Sequence, residues 1–305
     1  MKRILFVIAI ALLSVKAFAQ QMQTYKFAEK NGQELFMDVY TPENVNESTV
    51  TVMYVFGGGF ISGERNDASS KEYCLELVKH GYVAVAIDYR LGLKGEKDLG
   101  LFNHEPVERA INMATEDAIS ALGYLVENAK ELRVNPQLIV LVGSSAGAIT
   151  VLQTDYSLCN GFLNAGILPA DFRLAGVASY AGAIFSTRGK VKYSNHEPAP
   201  TMFFHGTSDK LVTYKQLRLF STGFFGSSKL APRFQKFGYP YYFRRYEGYG
   251  HSVAGMFTPT IDDFDWFVNH FVINYELLQV EEDYVNMDET SKPSYDNFTP
   301  DDLYK

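Results

Sequence analysis

The chain has 305 residues, 47% of them apolar, and its formal net charge at neutral pH is −7. This length and apolar content allow a sizeable core, built as one large domain or two small ones. The acidic balance argues against binding to nucleic acid. Beyond the N-terminus no apolar run reaches about 18 residues, so the sequence predicts no membrane-spanning helix there.

The N-terminal residues have the pattern of an export signal. Lys2 and Arg3 supply positive charge, residues 4–13 are apolar, and residues 17–19 read Ala-Phe-Ala, which fits an A-x-A cleavage site. We expect cleavage after Ala19, which removes three positive charges, changes the formal charge from −7 to −10 and implies a secreted or periplasmic location. No cysteine lies directly at the cleavage site, so the sequence predicts no lipid anchor and no stable membrane anchor.

Predicted strands and helices alternate along the rest of the chain. Strands are expected at residues 25–40 (a hairpin turning at Asn31-Gly32), 49–56, 82–88, 138–142, 174–179, 201–205 and 241–246. Helices are expected at residues 72–80, 106–130, 146–156, 214–237 (as a broken helix) and 256–278. This alternation predicts a doubly wound, mostly parallel α/β sheet of about eight strands with small lid insertions.

The composition divides the mature chain in two. We expect a single α/β domain over residues 20–280 and an acidic tail over residues 281–305. The tail carries eight acidic residues against two lysines, which is typical of a solvated, partly disordered segment. The only cysteines, Cys74 and Cys159, do not make a disulfide framework. They could pair after export, but we expect each to be a small buried residue.

The clearest motif lies at residues 143–147, which read Gly-Ser-Ser-Ala-Gly after the apolar strand at residues 138–142. This is the G-x-S-x-G pattern of a nucleophile elbow, where strand and helix meet in a turn too tight for larger side chains. Such a turn raises the Ser145 hydroxyl above the strand ends and places it at a helix N-terminus. Taken alone, the motif also fits a Gly- and Ser-rich turn without chemistry.

Three glycines, Gly57, Gly58 and Gly59, follow the predicted strand at residues 49–56. Their backbone N–H groups are not covered by side chains and can cradle an oxyanion or a phosphate. No G-K-[ST] follows, which disfavours a phosphate loop. A flexible turn remains the alternative.

A nucleophilic serine needs a base to accept its proton and an acid to hold that base. Asp209 follows the strand at residues 201–205, and His251 follows the strand at residues 241–246. Because parallel strands end at the same edge of a sheet, Ser145, Asp209 and His251 are expected in loops along one edge. Asp209 could also cap a short helix, which is compatible with catalysis.

Two other polar residues have structural interpretations. His205 lies within a predicted strand and is expected to pack in the core. Asp117 lies within the long helix at residues 106–130 and is expected to be a surface charge or a partner for a neighbouring loop, rather than a catalytic group.

Together these motifs resemble the α/β-hydrolase superfamily. The order Ser145, Asp209, His251, the glycine run at residues 57–60 and the Asp-Tyr-Arg-Leu phrase at residues 88–91 are most similar to the carboxylesterase and hormone-sensitive-lipase-like group. The resemblance implies a serine esterase that works through an acyl-enzyme and needs no metal or organic cofactor. In it Ser145 would attack an ester carbonyl, His251 would take the serine proton and Asp209 would fix the His251 tautomer.

The resemblance also implies an oxyanion hole made by the N–H groups of Gly58, Gly59 and Ala146. Many of these esterases carry a histidine immediately before the glycines, where this chain has Phe56. The oxyanion donors are backbone groups, so the hole itself is expected to survive this change. The hydrogen bonds that such a histidine gives to nearby loops are expected to be lost.

The expected substrate is an extracytoplasmic ester, such as an acylated carbohydrate or a short-chain acyl ester, and the oligomeric state is left open. Residues 91–103 and the aromatic segment at residues 220–243 are expected to overhang Ser145, as substrate contacts or as the core of a small lid. Two other functions stay open. A serine peptidase of the same fold usually carries an additional large domain, and a non-catalytic binding protein has no need to keep the serine, aspartate and histidine.

Overall fold

The core of the chain is a nine-stranded, mostly parallel sheet, and three further strands form a second, small sheet. The structure, a computed structural model, describes residues 21–96 and 104–287. The strands are β1 (Gln21–Lys30), β2 (Gln33–Thr41), β3 (Thr51–Val55), β4 (Val83–Ile87), β5 (Ile139–Ser144), β6 (Gly176–Tyr180), β7 (Ala183–Ser186), β8 (Thr201–Gly206), β9 (Gln216–Leu219), β10 (Thr222–Gly226), β11 (Tyr241–Tyr246) and β12 (Gln279–Tyr284). The predicted signal and cleavage site, residues 97–103 of the predicted overhang and residues 288–305 of the predicted tail lie outside the described residues.

Six α-helices connect these strands in the described part of the chain. They are α1 (Ala68–Lys79), α2 (Glu105–Glu127), α3 (Ala129–Leu132), α4 (Ala146–Leu158), α5 (Ser227–Phe237) and α6 (Ile261–Phe267). A π-helical segment, Val268–Ile273, continues α6, and a short 3-10 turn, His251–Gly255, follows β11. None of the described helices is long and apolar enough to cross a membrane.

The large sheet has the order β1-β2-β4-β3-β5-β6-β8-β11-β12. The β1–β2 and β2–β4 pairs are antiparallel, and every other pair in the sheet is parallel. The strands β3 and β4 are buried at every position. Because successive side chains point to opposite faces, helices and loops must cover both faces of the sheet there. The predicted doubly wound α/β class is therefore confirmed.

The predicted N-terminal hairpin is also confirmed. Its turn falls at Asn31-Gly32, where both residues have positive φ, 54° and 77°. This is the backbone that a two-residue hairpin turn needs, and asparagine and glycine adopt it at low cost. β2 then pairs with β4, so the hairpin extends one edge of the parallel sheet.

The predicted broken helix at residues 214–237 is wrong over its first half. Residues 216–226 form β9 and β10, an antiparallel pair that joins β7 in the small sheet. A two-residue turn connects them, and its first residue, Phe220, has φ 52° and is almost fully exposed. Phenylalanines at neighbouring positions of β10 suit an extended, half-buried strand better than one face of a helix.

The prediction that residues 220–243 overhang Ser145 does not apply to the residues of α5 and β11. The helix α5 and the strand β11 belong to the main sheet and its covering layer. Phe234 of α5 is buried against Phe203 of β8, with ring centroids 5.3 Å apart. Phe243 lies within β11 itself and is also buried. These aromatic residues therefore build the core of the domain.

The predicted acidic tail does not begin at residue 281, because β12 crosses that position and adds a ninth strand to the sheet. Its acids face basic residues of β11. Arg244 pairs with Glu282 at 2.8 Å, and Arg245 forms ion pairs with Glu281 and Asp283. The acidic composition that suggested a solvated tail is here compensated across the strand pair.

Two interpretations of buried residues are confirmed. Cys74 and Cys159 are buried and unpaired. Asp117 is fully buried in α2 and accepts hydrogen bonds from the backbone N–H and guanidinium of Arg90, with Lys30 Nζ 3.0 Å away. It is thus a partner for the loop after β4, as expected.

The elbow glycines are required by the close approach of three backbones. A side chain at Gly147 would place its Cβ 2.0 Å from the Val55 carbonyl oxygen of β3. A Cβ at Gly143 would lie 2.3 Å from the Gly147 oxygen. The glycines of the motif therefore let α4 begin directly against β3 and β5.

Replacing Gly147 with Ala tests this packing. The new Cβ has to displace the backbone of a central strand, so we expect a loss of about 3 kcal/mol or more in the free energy of unfolding. Urea unfolding measures it. The matched control is Gly166→Ala, because a Cβ at Gly166 meets no atom within 4 Å. Equal stability of the two variants would contradict the packing argument.

Candidate active site

Ser145 occupies the sharp turn between β5 and α4. Its backbone has φ 52° and ψ −116°, a left-handed conformation that costs a non-glycine residue on the order of 1 kcal/mol or more. Its N–H donates to the Tyr180 carbonyl of β6 at 3.0 Å, and its own carbonyl accepts from Ile149 of α4 at 2.9 Å. Backbone bonds on both sides therefore hold the serine in this strained turn.

The structure brings the three predicted residues together. His251 Nε2 lies 2.8 Å from Ser145 Oγ, and His251 Nδ1 lies 2.8 Å from Asp209 Oδ2. Ser145 follows β5, Asp209 follows β8 and His251 follows β11, all parallel strands whose carboxyl ends share one edge. A carboxylate, an imidazole and a hydroxyl thus form one continuous hydrogen-bonded chain.

A further hydrogen bond joins the elbow to the histidine segment. Ser144 Oγ donates to the carbonyl oxygen of Ala254, within the 3-10 turn that begins at His251, at 2.8 Å. This bond fixes the histidine turn relative to the residue that precedes the nucleophile. Ser144 occupies the first variable position of the G-x-S-x-G motif, so the motif predicts no role for it.

The Asp209 side chain is completely buried and accepts from four donors. Its Oδ1 accepts from the backbone N–H groups of Leu211 at 2.9 Å and Val212 at 3.0 Å. Its Oδ2 faces His251 at 2.8 Å and His205 Nε2 at 3.3 Å. Burial alone would raise the pKa of this carboxyl, but the hydrogen bonds from His205 and His251 outweigh it and hold the pKa well below its usual range.

His205 packs in the core as expected, but it also contacts Asp209, which the sequence interpretation missed. Its Nε2 has two acceptors, the Val212 carbonyl at 3.1 Å and the Asp209 carboxylate, so Nε2 carries a proton. Its Nδ1 lies 2.9 Å from Ser227 Oγ, which can donate to it. A neutral His205 can therefore support the carboxylate. The sequence offers one indication of this contact, because His205 lies near the end of its strand and only four residues before Asp209.

The glycine loop, residues 57–60, lies against the nucleophile. A Cβ at Gly57 would be 3.3 Å from Ser145 Cβ. The loop turns back on itself, since the Gly58 carbonyl accepts from the N–H groups of Ile61 and Ser62. Gly58 and Gly59 have φ of 109° and 64°, and a Cβ at Gly58 would meet the Ser62 oxygen at 2.1 Å. Only glycine fits the Gly58 position.

The three predicted oxyanion donors lie on two elements next to Ser145. Gly58 and Gly59 belong to the glycine loop, and Ala146 is the first residue of α4. Across residues 21–96 and 104–287, none of their N–H groups has a hydrogen-bond partner in the protein. Unpaired N–H groups beside a nucleophile are available to a ligand oxygen. That they bind the oxyanion stays a prediction.

Among the described residues, no group of three or more His, Cys, Asp or Glu side chains is arranged to hold a metal ion. The groups that the structure brings together at this site are a serine hydroxyl, an imidazole, a carboxylate and backbone N–H groups.

The fold matches solved esterase structures. The thermophilic esterase Est2 from the planctomycete Thermogutta terrifontis superposes with a TM-score of 0.58 at 21% identity, covering 81% of this chain and 91% of that chain. Its propionate-bound form gives a TM-score of 0.59 at 20% identity over 84% of this chain and 95% of that one. The BD-FAE family model matches residues 37–160. The chain therefore has the α/β-hydrolase fold.

Sequence similarity to curated proteins is concentrated in part of the chain. Carboxylesterase 5A of Mus musculus is 33% identical over 119 residues, which cover 38% of this chain and 19% of that protein. Cocaine esterase of Homo sapiens is 28% identical over 155 residues, covering 50% of this chain and 26% of that protein. The matches thus span only about a fifth to a quarter of these relatives' length.

The matched family region also bears on the site. Residues 37–160 contain the glycine loop and Ser145 but end before Asp209 and His251. The hydrogen-bond geometry, rather than the family match, joins these last two residues to the serine.

Replacing Asp209 with Asn tests the four-donor arrangement by its pH dependence. The folded pKa of Asp209 is depressed, so its stabilisation is complete above the unfolded pKa of about 4 and is lost as pH falls through the folded pKa. We expect the stability difference between wild type and Asp209→Asn to be largest near neutral pH and to shrink below about pH 4.

Urea unfolding at neutral pH and at successively lower pH values measures this difference. Asp262→Asn, at an exposed position of α6, is the control and should change stability little at neutral pH. A difference for Asp209→Asn that stays constant on acidification would contradict the arrangement.

Proposed function

We propose that this α/β-hydrolase cleaves carboxylic esters through Ser145, His251 and Asp209. The observation that carries the proposal is the continuous chain from Ser145 Oγ through both ring nitrogens of His251 to Asp209, at 2.8 Å for each contact. It stands on a strained elbow next to unpaired N–H groups. The esterase names of the relatives and of Est2 support the same reaction class.

The proposed reaction follows from the positions of the protons. Ser145 Oγ attacks the ester carbonyl while His251 Nε2 takes the serine proton, and Asp209 stabilises the imidazolium through Nδ1–H. The tetrahedral intermediate collapses, His251 returns the proton to the leaving alkoxide, and the alcohol departs. Water then attacks the acyl-serine with His251 again as base, which releases the acid and restores Ser145.

The buried carboxylate is suited to this role. Its depressed pKa keeps Asp209 ionised at neutral pH. The backbone donors of Leu211 and Val212 fix the carboxylate plane, so Oδ2 remains directed to the imidazole. We propose that the developing oxyanion binds to the N–H groups of Gly58, Gly59 and Ala146, where one such donor is worth about 3 kcal/mol in the transition state.

For the substrate, we propose an extracytoplasmic ester with a short acyl group or an acyl group carried by a carbohydrate. The N-terminal export pattern supports the location, with cleavage after Ala19. Est2 has been solved with propionate and with butyrate, which makes short acyl groups the first to test here. The intact mass of the exported protein checks the location, because the proposed mature chain begins at Gln20.

Hydrolysis of p-nitrophenyl esters from acetate to decanoate tests the activity. We expect turnover of the short esters, and a fall of at least about 10⁴-fold in kcat for Ser145→Ala, because the nucleophile is lost while the binding groups remain. Ser208→Ala, an exposed serine beside Asp209, is the matched control and should keep wild-type rates.

The same assay separates the other functions. Turnover of peptides in place of esters would favour a serine peptidase. Absence of turnover by the wild type, together with no labelling by a fluorophosphonate, would favour a non-catalytic binding protein. Equal turnover of simple short-chain esters and of acetylated or feruloylated sugars would leave the carbohydrate preference unsupported.

A further inference from the structure

The segment that follows β4 contacts the glycine loop and its flanks at three places. The Tyr89 hydroxyl lies 3.1 Å from the Phe56 carbonyl oxygen and 3.2 Å from the Gly57 carbonyl oxygen. The Leu93 N–H donates to the Phe60 carbonyl at 3.0 Å. Because carbonyl oxygens only accept, Tyr89 is the donor to the start of the loop.

The loop is also anchored just beyond its end. The Arg65 guanidinium donates to both carboxylate oxygens of Asp88, at 3.0 and 2.9 Å, and its Nε lies 3.2 Å from Asp38 of β2. Asp88 in turn accepts from the Phe36 N–H. Neighbouring residues, Asp88 and Tyr89, thus hold the two ends of the segment that contains two of the predicted oxyanion donors, Gly58 and Gly59.

The Tyr89 contact sets the direction of N–H groups as well as of carbonyls. A trans peptide unit is planar, and its C=O and N–H point in opposite directions. The Gly57 carbonyl and the Gly58 N–H belong to one such unit. With the carbonyl held toward Tyr89, the Gly58 N–H has to point away from it. Glycine itself restricts this rotation little, because it has no side chain.

The ring of Tyr89 is itself held in place. It stacks on Phe56 with a centroid distance of 4.4 Å and an interplanar angle of 26°, and both side chains are buried. Gly63 also lies against Phe56, because a Cβ at Gly63 would meet the Phe56 ring at 2.6 Å. Burial raises the pKa of the Tyr89 phenol, so the hydroxyl keeps its proton.

We propose that Tyr89 is a positioning residue for the oxyanion hole, which orients the Gly57–Gly58 peptide through its hydroxyl and is itself oriented by Phe56. The inference rests on the proposed ester hydrolysis. It also gives a role to the position where related esterases carry a histidine. Here a stacked phenylalanine supports a tyrosine, and the tyrosine supplies the hydrogen bond to the loop.

The variant Tyr89→Phe removes one oxygen atom and keeps the ring. A matched control exists in Tyr73→Phe, because Tyr73 is equally buried at 2% exposure and stacks on Phe257 at 4.5 Å. Its hydroxyl has no hydrogen-bond partner in the described part of the chain. The two variants therefore differ in whether the lost hydroxyl held a carbonyl.

We expect Tyr89→Phe to lower kcat on p-nitrophenyl butyrate about tenfold with KM within about twofold, because the lost alignment acts on the transition state. Affinity for a trifluoromethyl ketone that forms a hemiketal with Ser145 should fall by about the same factor. Affinity for the matching secondary alcohol should not change. Tyr73→Phe should match the wild type in all three measurements.

Rates are divided by the concentration of active sites, titrated to completion with a fluorophosphonate. Unfolded protein therefore does not lower the measured kcat. If Tyr89→Phe yields too little folded protein, Phe56→Leu tests the same arrangement by removing the stack and keeping the hydroxyl, and kcat should fall by a smaller factor.

Wild-type kcat and ketone affinity in Tyr89→Phe, beside an active wild type, would overturn the positioning role and leave the proposed function intact. An effect on KM alone would also overturn it. A wild type that hydrolyses no ester would overturn the proposed function and this inference together.

Discussion

Three backbones meet at Gly147, and the missing side chain there determines where Ser145 stands. The Val55 carbonyl of β3 occupies the space that a Cβ would need, so α4 starts directly against the sheet. Ser145, in the turn that precedes α4, has a positive φ. The strain is held by the hydrogen bond to Tyr180 and by the first turn of α4. The serine hydroxyl is consequently raised at the edge where β8 and β11 also end.

Several buried or partly buried acidic side chains near this edge of the sheet are each paired with a basic side chain or with N–H donors. Asp117 is held by Arg90, Asp88 and Asp38 by Arg65, and the Asp209 carboxylate by four N–H donors. Removing one partner of such a buried pair leaves an uncompensated charge, which is strongly destabilising. At least one partner of each contact lies on the loop after β3, β4 or β8, so the contacts fix the connections that carry the site as well as stabilising the fold.

The sequence predicted the elements whose signal is local. An apolar run before Gly-Ser-Ser-Ala-Gly indicates a buried strand and an elbow, and a residue that follows a parallel strand has to lie at its carboxyl edge. This placed Ser145, Asp209 and His251 on one edge, where the structure brings them into contact. The hairpin at Asn31-Gly32 followed from turn chemistry in the same way.

The elements and contacts that the sequence analysis missed are those that depend on residues far away in the chain. The acids of β12 suggested a solvated tail, because their partners Arg244 and Arg245 lie some forty positions earlier in the chain. The strands β9 and β10 resembled a broken aromatic helix, because only pairing with β7 makes them a sheet. The contact of Tyr89 with the Gly57 carbonyl is likewise a matter of tertiary packing, and no spacing in the sequence encodes it.

Covalent labelling tests the central claim, that Ser145 is a nucleophile activated by His251, most directly. The protein is treated with a fluorophosphonate, and the adduct is counted by intact mass and located by peptide mapping. The account predicts one adduct per chain, on the peptide that contains Ser145, and greatly slowed labelling in His251→Ala. No adduct, an adduct on another residue, or labelling at the wild-type rate in His251→Ala would contradict it.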